Sequence, residues 1–209
     1  MKRLVILIFV LLLLPNTHAA LATSDALTTL NQLQVKGKAA KTGYSRSQFP
    51  HWSDPDRNGC DARNDTLKRD LIAVIYKSGT RDCKVIGGQL TDPFSGKIII
   101  FSPSKVVIDI DHVVSLSNAW QTGAAYFDKS TRLAFANDPI NLLAVDAKLN
   151  RQKGDGDAAT WLPPNKEFRC EYVARQVAVK AKYQLWVTEP EKVAIVKILS
   201  TCLSQKLPG

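Results

Sequence analysis

The cysteines constrain this fold more than any other feature of the sequence. The chain has four, Cys60, Cys83, Cys170 and Cys202, and an even number in an exported chain predicts two disulfide bonds. The sequence alone allows three pairings. We favour Cys60 with Cys83 and Cys170 with Cys202, because each pair lies on one side of the candidate catalytic segment around His112 and closes a modest loop. The absence of a C-x-x-C pair argues against a structural zinc site built from these thiolates.

The N-terminus predicts export. Lys2 and Arg3 precede an apolar run from Leu4 to Leu14, and Pro15 and a stretch of small residues follow. This is the layout of a cleavable secretory signal peptide, which we place over residues 1–22. The apolar run is shorter than the roughly 18 to 20 residues that cross a bilayer. We therefore expect a secreted or periplasmic protein with no stable membrane association, and an uncleaved N-terminal anchor is the alternative.

The rest of the chain is long enough for one domain with a real core. We predict a short helix and linker over 23–43 and a single domain over 44–209, which we expect to be monomeric. Residues Leu67, Leu71 and Ile75 follow a helical period and predict an amphipathic helix from Asn64 to near Gly79.

Three runs, Cys83 to Ile86, Lys97 to Phe101 and Lys105 to Val114, predict paired strands with tight turns. Later elements follow from apolar runs and capping residues. They are a short apolar run over Asn141 to Val145, a helix capped by Asp146 that reaches Lys153, a helix over Phe168 to Tyr183, and a helix opened by the capping box Thr188 to Glu191. Mixed strands and helices in this order predict an α+β fold.

The charge balance suits a polyanionic partner. Lysine and arginine number 28 against 19 acidic residues, a formal net charge of +9, and loss of Lys2 and Arg3 with the signal peptide leaves about +7. Charge by itself does not single out nucleic acid, because many exported proteins are basic for solubility alone.

Histidine is scarce in this chain. There are three, and His18 lies in the predicted signal peptide, so imidazole chemistry in the mature protein falls to His51 or His112. A zinc site made of several histidines and an H-E-x-x-H helix are both excluded. We interpret His51 as a surface or loop residue.

The segment Val106 to Val114 carries Asp109, Asp111 and His112 in an otherwise apolar strand. One interpretation puts both carboxylates on the exposed face of an edge strand beside an ordinary histidine. The functional interpretation has Asp111 bind a divalent cation beside His112, which requires the strand to end there because neighbouring strand side chains face opposite ways.

A second polar cluster lies downstream. In a helix that starts at Asp146, the side chains of Asp146, Asn150 and Lys153 share one face. Carboxylate and amide oxygens are ligands for magnesium or calcium, and a lysine can hold a phosphate. Each residue alone is weak evidence, but their order along the chain is specific.

These motifs resemble those of the HNH endonuclease family. The resemblance rests on Asp111-His112-Val113-Val114, an asparagine at 141, and Asn150-x-x-Lys153. Asparagine at the third position is similar to the nuclease domain of RNA-guided CRISPR effectors. The segments Arg46-x-x-Phe49-x-x-Trp52, Gly59 to Asn64 and Phe135 to Asn165 look like a subgroup of secreted bacterial HNH nucleases, so the likeness covers most of the mature chain.

The resemblance implies a ββα-metal fold with its core over about 97–155 and helices around it. It implies that His112 is the general base, that Asp111 and Asn150 are metal ligands, that Asn141 holds the active-site loop, and that Lys153 touches phosphate. Because Asn150 stands where the family name has histidine, we expect one hard cation, Mg²⁺ ahead of Mn²⁺, and not a tightly held zinc. The side chains expected to contact backbone phosphate are Arg46, Arg63, Arg151 and Lys166.

The sequence thus predicts hydrolysis of phosphodiester bonds in DNA, with RNA as a second candidate substrate, and with little sequence preference because no module for base readout is visible. Two alternatives belong to other classes. The first is an exported protein that binds nucleic acid or another polyanion without catalysis, which would tolerate loss of His112. The second is a hydrolase using Asp109 and Asp111 as an acid and base pair, although these carboxylates have no visible partner across a cleft.

Overall fold

A strand hairpin followed directly by a helix forms the centre of the protein. The computed structural model describes residues 25–102, 104–105 and 107–208. Strands β4 (Ile108–His112) and β5 (Leu142–Asp146) pair antiparallel, with Asp111 opposite Leu143 and His112 opposite Leu142. Helix α5 (Ala147–Lys153) begins at the next residue, where the Asp146 side chain accepts a hydrogen bond of 2.8 Å from the Leu149 amide. The predicted strand, cap and helix are confirmed here.

A second sheet lies before this hairpin. It has the order β1 (Ile72–Tyr76), β2 (Val85–Thr91) and β3 (Ile98–Phe101), with both pairs antiparallel. Of the three predicted strand runs, the first two pair as β2 and β3, whereas the third, β4, pairs with β5 and not with β3. Strand β4 is separated from its partner β5 by residues 113–141. A turn motif between neighbouring runs cannot predict a pairing over that distance.

The predicted helix from Asn64 to near Gly79 is half wrong. Helix α2 (Ala62–Asp70) ends at Leu71, and the chain continues as strand β1. Ile72, Val74 and Ile75 are β-branched, which disfavours a helix and favours an extended strand beside β2. The apolar spacing that suggested a helix face instead leaves Ile72 and Ile75 about 60% exposed on the sheet.

Helices cover the other side of the hairpin. Helix α1 (Asp25–Gln32) buries Ala26 and Leu30 against α6 (Arg169–Lys182) and α7 (Glu189–Leu199). The predicted capping box is present at the start of α7, where Thr188 and Glu191 bond each other's backbone amides. Two shorter helices, α3 (Leu116–Gln121) and α4 (Lys129–Ala136), lie in the connection between β4 and β5. Single turns of 3₁₀ helix occur at Arg46–Gln48, Ala124–Tyr126 and Lys166–Phe168.

The two disulfides confirm the favoured pairing. Cys60 is bonded to Cys83, and Cys170 to Cys202. The first ties the loop before α2 to the start of β2, and the second ties the start of α6 to the segment after α7. The protein is a single α+β domain with two internal crosslinks.

The predicted signal peptide lies outside the described residues. Across 25–208, leaving aside 103 and 106, the structure contains no helix with the length and apolar character needed to cross a membrane.

Candidate active site

The end of strand β4 carries the candidate site. Asp109 and Asp111 are two residues apart, so their side chains lie on the same face of the strand, which packs against α5. His112 is the last residue of the strand and faces the other way, as expected from the strand period. Asp111 and His112 are each only 4% exposed. The interpretation that puts both carboxylates on an exposed strand face is therefore wrong for Asp111.

The orientation of the His112 ring is fixed by a helix end. Its Nε2 lies 2.9 Å from the carbonyl oxygen of Ala136, the last residue of α4. Carbonyls in the last turn of a helix lack an intrahelical partner. Because a carbonyl oxygen can only accept, Nε2 must carry the proton, and Nδ1 of the neutral ring is left with its lone pair.

Burial keeps this imidazole neutral. The pKa of His112 is lowered from 6.5 to about 3, chiefly by desolvation and to a smaller extent by the charges of Arg46, His51 and Lys153, while the bond to Ala136 opposes the shift. The ring is consequently a neutral base throughout the range around pH 7.

Lys153 has a different position from the one expected of a phosphate contact. Its side chain is fully buried, and Nζ donates to Asp111 Oδ1 at 2.8 Å and to the His112 carbonyl at 2.9 Å. Its ammonium thus neutralises Asp111 and fixes the strand at His112. The contact of Lys153 with phosphate remains a prediction. In this structure the anion that its ammonium binds is the Asp111 carboxylate.

The remaining oxygen of Asp111 is unusual. Oδ2 is buried and has no hydrogen-bond partner among the described residues. Burial raises the pKa of Asp111 against the opposing effect of Lys153. An unpartnered buried carboxylate oxygen is costly unless something else satisfies it.

Helix α5 contributes Asn150 to the lining of the same cavity as Asp111 and His112. The Asn150 Nδ2 donates to Asp109 Oδ2 at 3.3 Å. Arg151 Nε lies 3.7 Å from the same Asp109 oxygen. Asp109, to which the sequence assigned no role, therefore binds two successive residues of α5.

Asn141 holds the chain just beyond His112. It is completely buried, its Oδ1 accepts from the Val114 amide at 2.8 Å, and its Nδ2 donates to the Val114 carbonyl at 3.3 Å. The Val113 amide donates to the Asn141 carbonyl at 2.8 Å. The side chain thus binds the backbone two residues after His112.

A cavity of about 540 Å³ opens onto these groups. Arg46 lines it and is exposed, and within the described part of the chain its guanidinium makes no ion pair. Lys41 also lines it but is paired with Asp155 at 3.0 Å. The predicted phosphate contacts Arg63 and Lys166 are not among its lining residues. Arg151 is not among them either, so of the four predicted backbone-phosphate contacts it is Arg46 that lines the cavity with His112.

Sequence reasoning missed that two aromatic rings, those of Trp52 and His51, lie beside His112. The Trp52 ring lies 5.8 Å from the His112 ring between centroids, and the His51 ring lies 6.3 Å from it. Trp52 adopts a left-handed backbone with φ 62°, which a bulky residue rarely adopts unless its surroundings impose it. Asn137 imposes it by accepting from the Ser53 amide and donating to the Pro50 carbonyl. The Arg46-x-x-Phe49-x-x-Trp52 segment was the sequence signal for this region, but it does not predict that Trp52 lies beside His112.

The donor set fits a hard divalent cation. Asp111 and Asn150 line one cavity, and carboxylate and amide oxygens are ligands that Mg²⁺ takes. In the described ranges, no group of three or more His, Cys, Asp or Glu side chains could hold a metal ion. A cation held by one carboxylate and one amide would keep several waters, as Mg²⁺ usually does.

Comparison with known proteins places the chain among nucleases. Residues 61–198 match the family described as the C-terminal domain of GmrSD restriction endonucleases. An uncharacterized secreted protein of Arthroderma benhamiae is 37% identical over 190 residues, which cover 90% of this chain and 88% of that relative. No solved structure matches.

Proposed function

The chain belongs to the family of GmrSD restriction endonuclease C-terminal domains, a family of the HNH endonuclease type, and on that premise we propose that it is an exported, metal-dependent endonuclease. Its substrate is DNA, with RNA as the second candidate. The succession β4, β5 and α5 has the order of a ββα-metal core, and it brings Asp111, His112 and Asn150 to one cavity.

One observation carries the proposal. His112 Nε2 donates to the Ala136 carbonyl, so Nδ1 is the basic nitrogen, and the ring is neutral because burial lowers its pKa to about 3. A neutral imidazole beside a cavity can take a proton from water. The water oxygen then bonds to phosphorus, the bond to the 3′ oxygen breaks, and that oxygen takes a proton from solvent, which leaves 5′-phosphate and 3′-hydroxyl ends.

The other residues hold the reacting groups. Asp111 and Asn150 would hold the cation, which supplies charge stabilisation for the phosphate and the departing oxygen. Arg46 binds a non-bridging phosphate oxygen from its exposed position on the cavity wall. Lys153 neutralises Asp111 and fixes the end of β4. Contacts of this kind position the backbone of the nucleic acid and read no bases, so we expect little sequence preference.

The test is a comparison of the purified, oxidised protein with His112→Gln on supercoiled circular DNA and on RNA, in Mg²⁺, Mn²⁺ or chelator. Glutamine can still donate to the Ala136 carbonyl, so the variant preserves the fold while removing the base. We expect cation-dependent nicking by the wild type and a loss of at least about 10²-fold in the variant.

Melting curves of both proteins provide the control, since equal stability assigns the loss to chemistry. Cleavage that persists in His112→Gln would overturn the role of His112. Binding of DNA without cleavage in any cation would instead support the polyanion-binding alternative.

A further inference from the structure

We propose that Asp109 is a positioning residue for the cation site, because it sets the amide of Asn150 so that its oxygen faces the cavity. The inference rests on the cation site of the proposed function and adds a residue that does not itself touch the cation. It concerns which atom of Asn150 is available, not whether Asn150 is present.

The strand period places Asp109 for this task. Asp109 and Asp111 share the face of β4 that packs against α5, and each is bound to a different part of that helix. Asp111 binds Lys153 at the end of α5, whereas Asp109 binds Asn150 one turn earlier. Asp111 therefore lines the cavity as well as binding Lys153, whereas Asp109 is not among the lining residues and binds Asn150.

The chemistry of the amide makes the orientation a choice between two states. In one, Nδ2 donates to Asp109 Oδ2, as observed at 3.3 Å, and Oδ1 is free to accept or to bind a cation. In the flipped state, Oδ1 would meet the carboxylate of Asp109 oxygen to oxygen, and Nδ2 would face the cavity. A carboxylate accepts hydrogen bonds and donates none when ionised, so Asp109 disfavours the flipped state.

Arg151 completes the arrangement from the solvent side. Its Nε lies 3.7 Å from the Asp109 oxygen, and its side chain is 64% exposed while that of Asp109 is 26% exposed. The guanidinium therefore holds Asp109 from outside and offsets its charge, without entering the cavity, of which Arg151 is not a lining residue.

The experiment measures Mn²⁺ binding to the full-length mature protein without nucleic acid, by calorimetry and by electron paramagnetic resonance of free Mn²⁺. The variants are Asp109→Ala, which removes the acceptor, and Asp109→Asn, whose amide can either accept from Asn150 or donate to it and therefore permits both states. Glu171→Gln removes an equal charge at a partly exposed pair with Arg175 on α6. Melting curves establish that each variant is folded.

We expect Mn²⁺ affinity to fall by about 10- to 100-fold in Asp109→Ala, the range for losing a group that orients a metal ligand, to fall in Asp109→Asn as well, and not to fall in Glu171→Gln. Unchanged affinity in Asp109→Ala overturns the inference and leaves the proposed function intact. An equal loss in Glu171→Gln overturns it as well, because loss of charge alone would then explain the effect of Asp109→Ala. No Mn²⁺ binding by the wild type would overturn the cation site itself.

Discussion

Two buried lysine–carboxylate pairs lie in this protein and serve different ends. Lys153 and Asp111 join α5 to β4 at 2.8 Å, and Lys180 and Glu191 join α6 to α7 at 2.7 Å. All four side chains are at most 5% exposed. The second pair is enclosed by the helical core, and Lys180 also donates to the Trp186 carbonyl at 3.1 Å. The first pair borders a cavity.

The two pairs differ in the contacts that their carboxylate oxygens make. Both Glu191 oxygens lie against Lys180 Nζ, at 2.7 and 2.8 Å, and Oε2 also accepts from the Thr188 amide in the capping box, so its charge is used within the helices. Asp111 keeps Oδ2 without a hydrogen bond beside Asn150. A buried charged pair is weak evidence for added stability, and here the neighbouring cavity distinguishes the pair that can serve chemistry from the pair that serves the core.

The largest expected effect comes from breaking the helical pair. Lys180→Met leaves Glu191 ionised and uncompensated in the core, and we expect the free energy of unfolding to fall by about 3–5 kcal/mol, measured by urea denaturation. Lys180→Met combined with Glu191→Gln should recover most of this loss, because glutamine is neutral and still accepts at the helix cap. Nicking activity per folded molecule should stay at the wild-type level, and a specific loss of activity would break the comparison.

Breaking the pair at the cavity should have a smaller effect on stability. In Lys153→Met, water or a cation can reach Asp111 from the cavity, so we expect a loss of roughly 1–3 kcal/mol. Added Mg²⁺ should restore part of it by binding the folded state, and should do nothing comparable for Lys180→Met. The same urea titrations with and without Mg²⁺ measure both. Equal responses of the two variants to Mg²⁺ would remove the distinction between the pairs.

Acid should weaken the region around the first pair through His112. Its folded-state pKa is about 3, whereas an unfolded histidine titrates near 6.5, so the unfolded chain binds the proton first as pH falls. Stability from the neutral ring is present above about pH 6.5 and decreases toward pH 3, by about 2 kcal/mol between pH 7.5 and 5. The difference between wild type and His112→Gln across that range isolates this contribution, and parallel curves would contradict it.

Local chemistry made much of the fold predictable. The cap at Asp146 and the capping box at Thr188 predict where a helix begins, because their hydrogen bonds span only three residues. The disulfide pairing was predictable because the cysteines flank the central segment in sequence. Where the sequence misled, at Ile72 to Ile75, an apolar spacing compatible with a helix belonged to a strand that pairs with β2, and short apolar runs do not distinguish the two.

The candidate site shows the same boundary. Histidine scarcity and strand termination pointed to His112 from the sequence. The partners of Lys153 and the packing of Trp52 on the His112 ring depend on how α5 and the loop over 50–53 dock, and no periodicity encodes that. Asp109 remained without a role for the same reason, since its partners lie 41 residues away or more.

Asn141 has a consequence for where the sheet ends. Its main-chain carbonyl bonds the Val113 amide, and its side chain then bonds both backbone groups of Val114, as a further strand residue would. The amide group thus imitates a peptide unit and extends the hydrogen-bond ladder one step past the paired strands. Unlike a strand, it lets the chain turn away into α3 at once. His112 is consequently fixed by strand pairing, while the chain leaves the sheet within a few residues of it.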